Sequence, residues 1–187
     1  MHKKIISIIG DSKIESNSKK YQFAYDIGKL LVDNGYRVQS GGLGGVMSAA
    51  FEGAHFSKKY VDGDTIAIIP SFDAQQANPY ADIVIPTGID IMRNTIVVNT
   101  SAVIAVGGGA GTLSEIANAW ALFKLIIGCV GVDGWSDKLA GQKIDTRNRY
   151  PDIPDDKVYA ASSAAEVISL IEKYVDKYTK IHTYIGI

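Results

Sequence analysis

Short apolar runs alternate with amphipathic segments along the whole chain. The runs at 4–9, 64–70 and 101–105 are rich in β-branched residues and have the length of buried strands. In the segment 18–34, by contrast, apolar side chains recur at the spacing of one helical face. The full pattern predicts strands at 4–9, 36–40, 64–70, 82–86, 101–105, 125–130 and 158–160, and helices at 18–34, 46–57, 89–99, 113–123 and 162–178.

This alternation of strand and helix predicts an α/β fold with a doubly wound, mainly parallel sheet and helices on both faces. A helix is predicted at 89–99 in spite of its β-branched residues, because a crossover must precede the next strand of a parallel sheet. The segment 131–157 lacks clear periodicity, which indicates an excursion over a site or a contact with a partner subunit. We expect one domain over residues 1–187.

Composition and charge narrow the function classes. The net charge is −1 and the basic residues form no long run, so we expect no nucleic-acid partner. The first apolar run is too short for a signal peptide or a membrane span, which predicts a cytoplasmic protein with no membrane partner. The single cysteine, Cys129, is expected in a core strand. His2, His55 and His182 lack metal-ligand spacing, and we predict no metal site.

A glycine turn follows the predicted strand at 101–105 and precedes a predicted helix. Its small and polar residues are Gly107, Gly108, Gly109, Gly111 and Thr112. No side chain blocks an anion there, and the free N–H groups of the helix point outward with the positive end of its dipole behind them. This 107–111 turn therefore predicts a phosphate site, to which Thr112 adds a helix cap or a hydroxyl. Glu115 follows Thr112 at the spacing of a Thr-x-x-Glu capping box.

A second glycine turn, at 41–45, follows the predicted strand at 36–40 and precedes another helix. In a parallel sheet both turns lie at the same edge, so they could contact one ligand from two sides. The turn after the first strand lies at this edge as well. These two turns add Gly10, Ser12, Gly41, Gly42, Gly44, Gly45 and Met47 to the candidate binding residues.

Neither glycine turn matches a standard nucleotide motif. A P-loop needs a lysine after its last glycine, and neither turn contains one, so a kinase or ATPase is disfavoured. Thr112 and Met47 stand where the dinucleotide pattern has its third glycine, which disfavours a redox NAD or FAD enzyme. We predict no resident cofactor, and a mononucleotide or another phosphorylated, nucleoside-like compound as the ligand.

Taken together, these motifs resemble the LOG ("Lonely guy") superfamily of Rossmann-like proteins. They are Ser-Gly-Gly-x-Gly-Gly-x-Met at 40–47 and Gly-Gly-x-Gly-Thr-x-x-Glu at 108–115, with Met92 and Arg93 between them. The superfamily includes cytokinin riboside 5'-monophosphate phosphoribohydrolases, proteins once labelled lysine decarboxylases, molybdenum cofactor carrier proteins and relatives of the DNA-processing protein DprA. The resemblance covers residues 4–175 and implies a Rossmann-like fold with a nucleotide site that includes Met92.

The resemblance to the hydrolases implies roles for two charged residues. Those enzymes cleave the N-glycosidic bond of a nucleoside 5'-monophosphate to give free base and ribose 5-phosphate. Glu115 is the candidate carboxylate that stabilises the positively charged transition state and orients water. We expect the helix dipole to keep Glu115 ionised at neutral pH. Arg93 would orient Glu115 or bind ligand oxygens.

The chain departs from the hydrolase pattern at three places. Val106 replaces the proline before the 107–111 turn, Asn94 replaces the lysine after Arg93, and Asp11 replaces a serine in the first turn. These departures make the chain more similar to the branch near the molybdenum cofactor carriers. Two functions stay open: a phosphoribohydrolase, favoured by the two retained charged residues, and a non-catalytic molybdenum cofactor carrier or nucleotide-binding sensor.

The predicted helix at 113–123 carries more apolar residues than one sheet face needs, including Trp120 and Phe123. This surplus predicts a homodimer or higher homo-oligomer through this helix or its neighbour, as the superfamily resemblance also implies. A lysine decarboxylase is excluded, because the nearest lysine, Lys124, follows the far end of this helix from the phosphate turn.

Overall fold

The computed structural model describes residues 2–183 of the chain. Within them, a single parallel sheet contains seven strands: β1 Ile5–Gly10, β2 Arg37–Ser40, β3 Thr65–Ile69, β4 Ile83–Pro86, β5 Ala102–Val106, β6 Leu125–Cys129 and β7 Val158–Ala161. The strands lie in the order β4-β3-β2-β1-β5-β6-β7. The helices are α1 Lys19–Asp33, α2 Val46–His55, α3 Asn94–Val98, α4 Ala110–Ala121, α5 Gly134–Leu139 and α6 Ala164–Tyr174. The predicted Rossmann-like, doubly wound α/β fold is confirmed.

The sheet separates two hydrophobic cores. Ile6 and Ile8 of β1 face the core that α1, α2 and α6 cover, whereas Ile9 faces the core that contains residues of α3 and α4. Burial on both faces explains why the central strands are continuous apolar runs. In the described part of the chain, no helix has the length and apolarity needed to cross a membrane.

The prediction of a helix at 89–99 is wrong in its details. The segment forms a 3₁₀ turn at Asp90–Arg93, followed by α3, which has only five residues. Its β-branched residues lower helix propensity, and Asp90 has a φ of +48°, which interrupts any regular helix there. The turn matters for the site because it buries Arg93.

The segment 131–157 differs from its prediction as well. It contains α5, whose six residues are too few to produce a visible helical periodicity in the sequence. The start of α5 packs directly against the 107–111 turn, and the backbone N–H of Trp135 donates to the carbonyl oxygen of Gly108 at 3.0 Å. The segment 131–157 therefore stabilises the turn that follows β5.

The additional apolar side chains of α4 pack largely inside the protein. Trp120 is only 1% exposed, and its ring lies 3.6 Å from the guanidinium carbon of Arg149. The indole N–H donates to Asp145 at 3.1 Å. Trp120 is therefore not available for a dimer interface through α4. Cys129 lies in β6 and is buried, as predicted, and burial raises the pKa of its thiol.

Candidate functional site

The candidate site lies at the carboxyl ends of β1 and β5. The chain winds from β1 toward β2 in one direction and from β5 toward β6 in the other, so the strand order reverses between β1 and β5. Such a switch point opens a crevice in which α/β folds bind ligands. Here the crevice holds a cavity of about 440 Å³. Eight predicted site residues line it: Gly10, Ser12, Met47, Arg93, Gly109, Gly111, Thr112 and Glu115.

The remaining predicted residues do not line this cavity. They are Gly41, Gly42, Gly44, Gly45, Met92, Gly107 and Gly108. Met92 is 73% exposed at the surface, whereas its neighbour Arg93 in the same 3₁₀ turn is buried.

Gly107 and Gly108 have a structural role that replaces the predicted phosphate contact. The N–H of Gly107 donates to the hydroxyl oxygen of Ser136 at 2.8 Å, and the N–H of Gly108 donates to Asp11 Oδ2 at 3.0 Å. Their carbonyl oxygens accept from the N–H groups of Ser136 and Trp135, each at 3.0 Å. Because all four polar groups already have partners, neither residue has an N–H free for phosphate.

The free donors lie at the start of α4 instead. The first hydrogen bond within the helix runs from Leu113 N to Gly109 O at 3.0 Å, so the preceding N–H groups of Ala110, Gly111 and Thr112 are left without helical partners. The Thr112 hydroxyl has no hydrogen-bond partner among the described residues and lines the cavity. The predicted capping box is wrong, because Gly109 is the N-cap and Thr112 is already the third helical residue.

The 41–45 turn mainly supports the wall of the site. Gly42 donates its N–H to the Ser40 hydroxyl at 3.1 Å and accepts at its carbonyl from the Asn78 N–H at 2.9 Å. Gly45 has a φ of +65°, and a Cβ there would lie 2.2 Å from Asp11 O. Glycine is therefore required for the backbone of this turn to approach the end of β1.

Arg93 lines the cavity and is buried, with 8% of its surface exposed. Its Nη1 donates to Asn94 Oδ1 at 3.0 Å, and its Nη2 donates to Gly41 O at 3.4 Å. A Cβ at position 41 would lie 2.8 Å from Nη2, so glycine makes room for the guanidinium. Among the described residues the buried Nε has no hydrogen-bond partner, which is uncommon for a buried polar atom and is typical of a functional site. Burial lowers the pKa of Arg93, while Glu115 and Asp90 act in the opposite direction.

Glu115 lies in the second turn of α4 and is 8% exposed. Within residues 2–183 its carboxyl group has no hydrogen bond and no salt bridge. Burial raises the pKa of Glu115 to about 7, and the positive charge of Arg93 offsets only part of this effect. The expectation that Glu115 stays fully ionised at neutral pH is therefore wrong, because burial raises its pKa into the neutral range. A perturbed carboxyl group in a cleft is typical of functional sites.

Several cavity residues were not among the candidates. Asp11 and Asn94 stood out in the sequence as departures from the hydrolase motifs, and this signal could have identified them. Asn94 is 4% exposed and connects the 3₁₀ turn to α4, since its Nδ2 donates to Ser114 Oγ at 2.7 Å. Leu43, Pro70, Asp90 and Ile91 complete the lining. Loops place Leu43 and Pro70 at the site, and the 3₁₀ turn places Asp90 and Ile91 there; the sequence contains no local signal for these four residues.

Comparisons with known proteins show the family and the fold of the chain. A model of the SLOG cluster4 family matches residues 3–162. An uncharacterized protein of Archaeoglobus fulgidus is 43% identical over 115 residues, which cover 61% of this chain and 72% of the relative. The molybdenum cofactor binding protein of the phototrophic bacterium Rippkaea orientalis is 31% identical, with a TM-score of 0.75 over 94% of this chain and 99% of that one. The X-ray structure of the structural genomics target TM1055 is 29% identical, with a TM-score of 0.77 over 91% of this chain and 99% of that one.

Proposed function

The chain belongs to the SLOG cluster4 family, and from this premise we propose that it binds a nucleoside 5'-monophosphate in the cavity and hydrolyses the N-glycosidic bond. Family membership confirms the resemblance to the LOG-like superfamily that the glycine motifs predicted. The fold and its relatives support binding of a nucleotide-like ligand. The reaction is our inference from the residues of the cavity.

The start of α4 provides the phosphate end of the proposed site. Three backbone N–H groups, of Ala110, Gly111 and Thr112, have no helical partner there. The positive end of the helix dipole and the Thr112 hydroxyl add to this donor set. Arg93 adds a buried positive charge at the wall of the cavity. This arrangement favours a ligand with one phosphate group.

The observation that carries the hydrolase proposal is the state of Glu115. Its carboxyl group lies in the cavity without a hydrogen bond or salt bridge from any described residue, and its pKa is about 7. Such a group exchanges protons readily at neutral pH, which suits a general acid or base. Water would add to the anomeric carbon of the ribose as the bond to the base breaks. Glu115 in its ionised form would accept the proton of the water, and the departing base, which takes the electron pair of the broken bond, would take up a proton from solvent water.

A carrier function is the second candidate, and Asn94 favours it. Asn94 occupies the position of the lysine in the hydrolase pattern, so the site has one positive charge fewer. The relative from Rippkaea orientalis is a molybdenum cofactor binding protein. In this alternative the same donors hold a phosphorylated cargo, such as molybdenum cofactor, and release it unchanged.

Base release from nucleotides distinguishes the two functions. The purified protein would be incubated with AMP and a panel of other nucleoside 5'-monophosphates, and free base followed by chromatography. We expect Glu115→Gln to reduce release by roughly 10²- to 10⁴-fold, as for loss of one general acid or base. Glu172→Gln, at an exposed position on α6, is the matched control. No release from any nucleotide, together with thermal stabilisation by one of them, would reject the hydrolase and support the carrier.

We also propose that the chain forms a homodimer, through the side of the sheet near α3. Ile83 and Ile85 of the edge strand β4 are 42% and 44% exposed, and they pair in register with β3 residues that face the α3 and α4 side. Ile91 and Ile96 are 55% and 46% exposed. Parallel sheets normally have both faces covered, so a second copy would cover these residues. A single species of 20.1 kDa in light scattering at micromolar concentration would contradict this.

A further inference from the structure

Arg93 and Glu115 face the same cavity, yet no salt bridge joins them in the described part of the chain. We infer that Asn94 is a positioning residue that holds the Arg93 guanidinium away from Glu115 and so keeps the Glu115 carboxyl available for proton transfer. The use of that proton rests on the proposed hydrolysis. The positioning itself does not, and it is measurable without any ligand.

The hydrogen bonds of Asn94 determine how its amide is oriented. The Ser114 hydroxyl donates its only proton to Gly111 O at 2.8 Å, so toward Asn94 it acts as an acceptor. The Asn94 group that contacts Ser114 at 2.7 Å must therefore be the Nδ2 donor, and the Oδ1 acceptor must face the other way. There it accepts from Arg93 Nη1 at 3.0 Å. The first turns of α4 thus determine the position of the guanidinium.

The hydrogen bond between Asn94 and Arg93 is protected from water at both residues. Asn94 is 4% exposed and Arg93 is 8% exposed, so solvent competes weakly for their hydrogen bond. The second guanidinium contact, from Nη2 to Gly41 O, is long at 3.4 Å. Asn94 is therefore the stronger of the two restraints on Arg93. Without Asn94, the buried guanidinium of Arg93 would be stabilised most by pairing with a carboxylate that has no other partner.

The charges around the cavity show what this restraint changes. Asp11 is already paired with Lys20 at 2.7 Å, and Asp90 lies in the same 3₁₀ turn as Arg93. Glu115 is a buried carboxyl group that has no partner within residues 2–183, and burial raises its pKa to about 7. A direct Arg–carboxylate pair lowers a carboxyl pKa by about 1–3 units. A released guanidinium would therefore keep Glu115 ionised at neutral pH.

Titration of Glu115 in the ligand-free protein tests this inference. The side-chain carboxyl carbon would be followed by NMR as a function of pH, with Glu115→Gln used to assign its signal. We expect a wild-type midpoint near pH 7 and a midpoint lower by about 1–3 pH units in Asn94→Ala. Asn94→Asp retains the acceptor for Arg93 and adds negative charge, so its midpoint should be equal to or above the wild-type value.

Two further variants complete the experiment: the first tests the inference if Asn94→Ala does not fold, and the second is a control. Ser114→Ala removes the hydroxyl that orients Asn94, and it should shift the midpoint in the same direction as Asn94→Ala but less. Asn99→Ala, an exposed asparagine at the end of α3, should leave the midpoint unchanged. An unchanged or raised midpoint in folded Asn94→Ala would overturn the inference. If Asn94→Ala does not fold, an unchanged midpoint in Ser114→Ala would overturn it.

Base release from AMP, measured in parallel, separates this inference from the proposed function. A midpoint that shifts as expected without base release from the wild type would reject the hydrolase and retain the positioning role. If the wild type is active, the pH profile of Asn94→Ala should move to lower pH together with the Glu115 midpoint. A profile that stays in place while the midpoint moves would overturn the link between Asn94 and proton transfer.

Discussion

The buried carboxyl group of Glu115 should make the stability of the protein depend on pH. Its pKa is raised from 4.5 to about 7 by folding. The folded state therefore binds more protons than the unfolded state between these values, so the free energy of unfolding falls as the pH rises through this range. At about 1.36 kcal/mol for each unit, the loss above pH 7 amounts to about 3 kcal/mol.

Glu115→Gln removes this titration and keeps nearly the same side-chain shape. We expect the variant and the wild type to have similar stability below about pH 4.5, and the variant to be more stable by about 3 kcal/mol at pH 8. For a chain of this size the difference corresponds to an increase in Tm of roughly 6–12 °C. Urea denaturation at a series of pH values, with the free energy extrapolated to water, measures it.

Glu172→Gln is the control, because that side chain is exposed on α6 and its loss leaves the cavity intact. The difference between Glu115→Gln and the wild type should grow from pH 5 to pH 7 and then level off. A constant difference over this range would refute the reasoning, because it would mean that Glu115 titrates at the same pH in both states. A variant less stable than the wild type at pH 8 would refute it as well.

Three further substitutions test other parts of the site. Ser136→Ala leaves the buried N–H of Gly107 without an acceptor, so we expect urea denaturation to show a loss of about 1–3 kcal/mol. Gly41→Ala puts a Cβ 2.8 Å from Arg93 Nη2, and the displaced guanidinium should reduce AMP turnover by roughly 100-fold with little change in Tm. Thr112→Val removes a hydroxyl from the phosphate end, which should weaken AMP binding in calorimetry by roughly 10- to 100-fold.

Two of these predictions have a control variant, and the third has a result that would contradict it. Ser169→Ala, on an exposed face of α6, should change stability little, and an equal loss there would contradict the role given to Ser136. Thr112→Ser restores the hydroxyl and should restore binding. Gly41→Ala would count against the site if nucleotide affinity and turnover both stayed at wild-type values.

The glycine motifs could be recognised from sequence because their chemistry is local. A tight turn between a strand and a helix needs particular residues at particular spacings, and parallel topology then places both turns at one edge of the sheet. The 3₁₀ turn before α3 was missed for the opposite reason. Its β-branched neighbours have no decisive local preference, and contacts with the sheet decide their conformation.

The sequence by itself determined the doubly wound fold, and it predicted that Arg93 and Glu115 contribute to one site at the edge of the sheet where the glycine turns lie; both residues line one cavity there. Only the tertiary structure decided which backbone N–H groups of the glycine turn are available to a ligand. Ser136 and Asp11 already bind the N–H groups of Gly107 and Gly108, and these partners come from distant segments of the chain. The protonation of Glu115 was decided in the same way, because desolvation depends on every atom that surrounds a carboxyl group and not on its neighbours in sequence.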